Sequence, residues 1–327
     1  MRLKVIESVG EPFVSIIIPC KSIDRYTQEC IEGCKKLDYP KSKYEIIVLP
    51  DGGGRGEANG VKIIPTGPVT PGAKRNKGAK KARGEVLAFI DSDAYPREDW
   101  LKNSVKYLLD DQVVAVGGPA ITPPQDGDMQ KASGYVFSSI LMGGLSRRYK
   151  VKRTVETDDV HSCNLIVKKW ALEKIGGWNE KYWPGEDTLF CLFLKKVGRI
   201  IETTDLVVYH HRKPLFKKHL KQVSRFALHR GFFAKRFKGN SLKLIYFIPS
   251  ILVLFLFFGL IFSLFNEFVR LIYLASIAVY LITCLIVNFF EVKERSLIPM
   301  VWIGLVLTHI VYGVYFLIGL LKRDLER

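Results

Sequence analysis

Beyond Leu244 the chain is almost continuously apolar, and this constrains the fold more than any other feature. Three runs, residues 244–265, 268–290 and 297–321, each approach the ~20 residues a helix needs to cross a bilayer. One such run is compatible with a buried helix of a soluble domain; three in succession predict a transmembrane region of three spans. The segment before them, residues 212–243, is rich in Lys and Arg, has no Asp or Glu, and supplies much of the net charge of +17. Positive charge directly before a span marks the cytoplasmic face and attracts anionic lipid. Anionic membrane lipids are therefore the expected partners, and no nucleic-acid recognition module is present to suggest otherwise. Phe216, Leu220, Val223, Phe226 and Ala227 recur at helical spacing with lysines between them. That pattern predicts basic amphipathic helices in the membrane interface, with a helix packed on the domain as the alternative.

Met1-Arg2-Leu3-Lys4 opens no long apolar region, and Phe13–Cys20 is too short and too β-branched for a signal peptide. The part before the spans is thus expected on the cytosolic side of a multi-pass cell-membrane protein. Three spans would leave Lys322, Arg323 and Arg327 outside, against the positive-inside trend, so the side of the tail stays open. Six cysteines without a CxxC pair or regular spacing indicate reduced thiols rather than a disulfide framework or zinc site. Oligomeric state is not legible.

Residues 1–211 read as a soluble α/β domain. Val14–Pro19, Tyr44–Leu49, Val61–Ile64, Glu85–Ile90 and Val113–Val116 are apolar, largely β-branched runs. Helical stretches Asp24–Leu37, Ala73–Arg83 and Arg97–Leu109 alternate with them, which implies a mostly parallel sheet covered on both faces. Further on, the pattern predicts a helix over Met129–Leu145, a mobile basic loop over Ser146–Asp159 and a strand over Asn164–Val167. Helices over Lys169–Ile175 and Glu186–Lys196 and a strand over Ile200–Tyr209 complete the reading.

Asp91-Ser92-Asp93 follows the run Val86–Ile90 directly, delivering two carboxylates at the end of a buried strand. Ligands of open α/β sheets bind beyond the carboxyl ends of the strands. Hard divalent ions, Mn²⁺ or Mg²⁺, reach proteins through one or two carboxylates plus substrate phosphates, so a metal-bridged nucleotide diphosphate is the expected guest. An acidic turn of no further meaning has the same local sequence.

Taken together the segments resemble the family 2 glycosyltransferases of GT-A fold. The resemblance rests on Val14–Pro19, Glu45–Gly52, Arg75-Asn76-Lys77-Gly78 with Gly84-Glu85, Asp91-Ser92-Asp93, Gly176-Gly177-Trp178-Asn179-Glu180 and Gly185-Glu186-Asp187. Each is weak alone; their order and spacing are specific. It implies a nucleotide-sugar transferase domain, Rossmann-like, followed by helical membrane segments, acting as an inverting, metal-dependent hexosyltransferase in cell-envelope glycan assembly. Asp51 would contact the base, with the backbone after Pro19 in the same pocket; a carboxylate can accept the imide proton of uracil, so the donor is expected to be UDP-linked. Lys74 and Arg75 would face the phosphates at a helix start, Asn76 backbone or ribose, Asp91 and Ser92 the ribose side, and Asp93 with Asp91 the metal. Asp187, next to Glu186, would be the base that deprotonates the acceptor, although Gly-Glu-Asp also suits a helix N-terminus.

Leu189 stands where the family often has a further acid. His210 or His211 would complete the metal site, at most one of them, since neighbours on a strand point to opposite faces. Trp183 is either a sugar-facing wall or a core aromatic. Processive synthases of the family carry Gln-x-x-Arg-Trp; here the corresponding region is Arg225–Gly231. Its absence favours transfer of a single sugar to a membrane acceptor, a polyprenyl phosphate or lipid-linked saccharide, with Arg225, Arg230 and the loop Arg147–Arg153 attracting its phosphate. The alternatives are a short processive synthase and a catalytically silent nucleotide-sugar-binding scaffold.

Overall fold

The β-branched run Val14–Pro19 forms the strand β1, buried throughout, and the sheet grows from it in both directions. The computed structural model describes residues 11–58 and 60–325; Met1–Lys4 and Arg327, on which two topology expectations rest, lie outside them. The described chain divides into two compact units, the first made of residues up to Gly118 with Arg153–Glu180 and Phe193–Val208. The second comprises Pro119–Lys152, Lys181–Leu192 and Tyr209 onward. The linear division at residue 211 therefore does not follow the packing: two earlier segments belong with the apolar helices.

In the first unit β1 is followed by α1 (Arg25–Lys35), β2 (Tyr44–Leu49), β3 (Gly56–Ala58), β4 (Val61–Ile63), α2 (Pro71–Lys81), β5 (Val86–Phe89) and α3 (Trp100–Leu108). Then come β6 (Val113–Gly117), β7 (Val155–Thr157), β8 (Leu165–Lys168) and β9 (Arg199–Glu202). They form one sheet in the order β3-β4-β2-β1-β5-β8-β6-β9-β7. β1 is parallel to both β2 and β5, with Ile17 opposite Ile47 and Phe89. Val14, Ile16 and Ile18 bury on one face among Cys30 and Cys34 of α1 and Trp100 and Leu101 of α3. On the other face a Cβ at Gly78 of α2 would come within 2.8 Å of Ile17 and Leu49 side-chain carbons. Covering both faces explains why the strand reads as a continuous apolar run.

The mostly parallel expectation holds for β4-β2-β1-β5 and for β6 with β9. β8 instead runs antiparallel between β5 and β6, and β3 and β7 are antiparallel edge strands. In the chain β8 follows β7 after only a short turn, Ser162–Asn164. The loop expected over Ser146–Asp159 contains β7, and the strand expected over Ile200–Tyr209 stops at Glu202 and resumes only at Val208. At the break the Thr203 hydroxyl shares hydrogen bonds with Tyr107 and Thr154, each at 2.8 Å.

The second unit holds α4 (Asp128–Ser138), the start of α5 (Glu186–Leu194), α6 (Lys217–Arg236), α7 (Ile248–Ser263), α8 (Glu267–Glu291) and α9 (Ile298–Leu321). The helix expected over Met129–Leu145 breaks at Ser139 and continues as a 3-10 segment, Ile140–Arg148, interrupted by Gly143 at φ 59°. With 25 and 24 residues, α8 and α9 are long and apolar enough to cross a bilayer. The run expected as the first span gives the 16-residue α7, about 24 Å long against a hydrocarbon core of about 30 Å.

The amphipathic face of α6 is spent on α9, with Val223 and Ala227 buried beside Tyr312 and Phe316. The two backbones touch: a Cβ at Gly231 would lie 2.1 Å from the Phe316 carbonyl oxygen, and one at Gly319 2.1 Å from that of Leu228. Between α4, α6 and α9, the buried His219 pairs Nδ1 with Ser133 Oγ at 2.8 Å and Nε2 with Thr308 Oγ1 at 2.9 Å. Burial, and then Arg212, push its pKa down to about 4. The unfolded imidazole takes up a proton first, so His219 stabilises the fold fully above pH ~6.5 and loses that contribution as pH falls toward 4. At 1.36 kcal/mol per unit the loss reaches about 3 kcal/mol. Denaturation midpoints of wild type and His219→Gln are expected to converge over that range; a pH-independent gap would refute the assignment.

Candidate active site

The residues singled out by sequence fall into two groups, one in each unit. In the first, the parallel arrangement of β1, β2 and β5 brings the residues after Pro19, Leu49 and Phe89 to the same end of the sheet. Cys20 N–H donates to Leu49 O at 3.2 Å and Asp51 N–H to Lys21 O at 3.0 Å, tying the ends of β1 and β2 together. Burial, opposed by Lys74, pushes the Cys20 thiol up to about 11, so it is neutral at physiological pH and serves as packing. α2 starts alongside, capped by the Thr70 hydroxyl, with Pro71 in its first turn. A Cβ at Gly72 would meet the Asn179 carbonyl oxygen at 2.8 Å.

Consecutive residues of that helix hold the two strand-end carboxylates. Lys74 Nζ lies 2.6 Å from Asp51 Oδ1 and also donates to Thr66 Oγ1 at 2.8 Å and Leu49 O at 3.1 Å. An Arg75 terminal nitrogen lies 2.7 Å from Asp91 Oδ1 and 2.9 Å from Ser162 Oγ, with the guanidinium 4.8 Å from the Trp178 ring. Both cations are buried, whereas the carboxylates are about one-third exposed, 32% for Asp51 and 31% for Asp91. Lys74 and Arg75, which the resemblance places near phosphates, hold the two solvent-facing carboxylates in the folded chain. Asp91, Ser92 and Asp93 form one turn, closed by Ala94 N–H donating to Asp91 O at 3.0 Å. Carboxylate oxygens of Asp91 and Asp93 lie within 4.8 Å of one another, a spacing one hard cation can bridge.

Asn76 binds backbone. Its Oδ1 accepts from Trp178 N–H at 2.8 Å, and its Nδ2 donates to Trp178 O at 2.9 Å and Glu180 Oε1 at 2.8 Å. Two motifs a hundred residues apart are thereby clamped together, with Gly176 and Gly177 at φ 81° and 83° making the turn between them and the preceding helix.

In the second unit, Asp187 stands in the first turn of α5, after the cis Trp183–Pro184 bond and Gly185 at φ 105°. A Cβ on Gly185 would strike the Phe233 ring at 2.7 Å. Asp187 Oδ1 accepts from Thr188 N–H at 2.8 Å, and Oδ2 lies 3.3 Å from an Arg148 terminal nitrogen. Glu186 is buried. Trp183 is 40% exposed and carries the Arg225 guanidinium 4.4 Å from its ring. Arg230 turns inward, 3.3 Å from Ser241 Oγ and 4.8 Å from the Tyr246 ring. His211 is buried with Nδ1 2.6 Å from Asp126 Oδ1; His210 is half-buried with Nδ1 3.0 Å from an Arg212 nitrogen. The side chain of Arg147 lies outside the described set.

Thr66, Ser162, Asp126 and the Arg148–Asp187 pair were not found by sequence reasoning. The first three are ordinary polar residues whose partners lie 8, 87 and 85 positions away, and no local pattern marks them.

A family model described as Glycosyl transferase family 2 matches residues 15–176. Among characterised relatives, Glycosyltransferase AglE of Haloferax volcanii is 28% identical over 188 residues, 54% of this chain and 59% of the relative. The aligned part thus spans about three-fifths of that protein. A Methanococcus voltae protein, dolichyl N-acetyl-alpha-D-glucosaminyl phosphate 3-beta-D-2,3-diacetamido-2,3-dideoxy-beta-D-glucuronosyltransferase, is 25% identical over 251 residues, 71% of this chain and 77% of that one. In structure, the mannosyltransferase PcManGT from Pyrobaculum calidifontis, solved with GDP-Man and Mn²⁺, has a TM-score of 0.57. At 19% identity, covering 95% of this chain and 88% of that one, it shares the fold.

Proposed function

This chain is a family 2 glycosyltransferase, and from that premise we propose that it transfers one sugar from a nucleotide-diphospho-sugar, UDP-linked, to a lipid-linked saccharide at the cytoplasmic face of a membrane. The observation that carries the donor side is the pair of buried cations, Lys74 and Arg75, presenting Asp51 and Asp91 at the carboxyl ends of β2 and β5, the two strands that flank β1. Asp51 receives the base. Asp91 and Asp93 have the oxygen donors and spacing that would suit a hard ion. Mn²⁺ or Mg²⁺ held by these carboxylates would supply Lewis-acid neutralisation of the charge on a departing diphosphate.

Asp187 takes the acceptor's proton as the acceptor oxygen bonds to the anomeric carbon and the bond from that carbon to the diphosphate breaks, which inverts the anomeric centre. This role favours a saccharide over a polyprenyl phosphate as acceptor. A phosphate monoester, with its second pKa near ~6, is already ionised at neutral pH, whereas a sugar hydroxyl is not. The Methanococcus voltae relative, named for a dolichyl-phosphate-linked sugar acceptor, supports the same class. Trp183 with Arg225 forms the wall nearest the acceptor; Arg230 is buried and is left out of that role.

Membranes and purified enzyme, supplied with a panel of UDP- and GDP-sugars, Mn²⁺ or Mg²⁺ and prenyl-phosphate-linked N-acetylglucosamine, test the reading by mass spectrometry of the lipid extract. One added sugar from a UDP donor is expected. A ladder of longer products would select the processive alternative, and full-rate glycosylation of a soluble acceptor without lipid would overturn the membrane acceptor.

A further inference from the structure

Contacts within the second unit decide how its apolar helices meet a membrane. At the N-terminal end of α9, Glu294 accepts from Tyr135 Oη at 2.5 Å and pairs with Lys131 at 3.4 Å. The end of α8 is held there as well, since Glu291 accepts from Ile140 N–H at 3.1 Å and pairs with Lys150 at 3.4 Å. At the opposite end of α9, Asp324 pairs with Lys181 at 3.1 Å, and Lys235 Nζ donates to the Lys322 carbonyl. The polar segments at the two ends are themselves joined, because Arg148, two residues before Lys150, bonds Asp187, six residues after Lys181. A helix that crosses a bilayer has its ends in two different aqueous compartments. Here both ends are tied to one continuous polar structure.

A second observation points the same way. α6 runs beside α9 along its length, from Leu215 against Gly304, through His219 at Thr308, to Gly231 at Phe316 and Lys235 at Lys322. Lys217, Lys218, Lys221, Arg225, Lys235 and Arg236 all travel with it. A spanning α9 would draw these cations through hydrocarbon, where each costs on the order of 3 kcal/mol even on the mildest scale.

We propose that the protein is a monotopic membrane enzyme. α9 lies along the membrane surface with α6 on its aqueous side, and α7 and α8 form a hairpin lying obliquely in the same leaflet without crossing, with the exposed Glu267–Arg270 pair of its turn, 3.0 Å apart, at headgroup level. The occupant of the exposed face of that hairpin is lipid hydrocarbon. Its outward residues include Phe257, Phe262, Leu271, Ile282 and Phe290, each more than half exposed. The chain enters α7 at Ser250, whose hydroxyl donates to Gly313 O of α9 at 3.0 Å, and leaves α8 at Glu291, so both feet of the hairpin stand on the same structure. Inside it, Tyr273 Oη donates to Leu256 O at 3.0 Å, joining the two helices at the middle of α7. This replaces the multi-pass arrangement expected from hydropathy, and it puts Lys322 and Arg323 on the side of the catalytic residues, in keeping with the positive-inside trend.

Site-directed labelling tests the proposal on the full-length enzyme in sealed right-side-out and inverted membrane vesicles, with a membrane-impermeant PEG-maleimide. All six native cysteines are buried, so wild type gives the baseline, and detergent-solubilised protein sets complete labelling. Ser296→Cys and Arg323→Cys, exposed positions beyond the two ends of α9, are expected to label from the same face. Glu267→Cys, at the charged hairpin turn, is expected to label from that same face. Labelling of any of the three from the opposite face, or protection of any of them, would overturn the proposal. Retained sugar transfer by each variant shows that it is folded.

Discussion

Asp187→Asn is expected to lower turnover by about three orders of magnitude while leaving donor affinity unchanged. A positioned general base contributes ~10²–10⁴ in rate, and the amide cannot take the acceptor's proton. The substitution suits the site structurally: the side-chain oxygen that accepts from Thr188 N–H at 2.8 Å is retained, so the first turn of α5 should persist. Arg148, 3.3 Å from the other carboxylate oxygen, loses its charged partner in a pair whose side chains are only 12% and 17% exposed, so a lowered denaturation midpoint is expected alongside the loss of turnover. Single-turnover rates and a separate titration of donor binding distinguish the outcomes. Turnover within tenfold of wild type would remove Asp187 from the role of base.

Asp93→Asn is expected to have a comparable effect on a different quantity. With one charged ligand lost, the Mn²⁺ concentration for half-maximal activity should rise more than ~10-fold, and turnover at saturating metal should fall by about 10³, because stabilisation of the leaving diphosphate is worth several kcal/mol. Asp91→Asn should reproduce this and also lower the denaturation midpoint, since it removes the carboxylate 2.7 Å from the buried Arg75 guanidinium and breaking such a pair is destabilising. Metal titrations of the three proteins, read with their melting curves, separate ligand loss from structural damage. An Asp93→Asn enzyme with an unaltered metal response would overturn the assignment of Asp93.

The positions of the acidic residues were legible because local rules set them. A β-branched run has to be a buried strand, and an acid directly after it has to emerge at the strand's carboxyl end. Asp51, Asp91 and Asp93 followed from that, as did α1, α2 and α3 from their periodicity. The partners of Lys74 and Arg75 were not legible: the resemblance implied a place near phosphates, and the fold buries them against Asp51 and Asp91. Asn76, expected on backbone or ribose, does bind backbone, but that of Trp178 could not be foreseen. Nothing within a few residues of α2 announces a partner 102 positions away.

Sequence by itself determined that this chain carries a nucleotide-sugar transferase sheet with carboxylates at its strand ends and a long apolar region after it. Only the tertiary structure decided which neighbours hold those carboxylates and which of the chain's own helices pack against α9. Hydropathy measures how strongly a segment avoids water, a preference satisfied equally by lipid and by the chain's own helices. Gly231, Gly319 and the ion pairs at both ends of α9 made that choice, because backbone contact and charge pairing depend on where residues meet in space and not on their order along the chain.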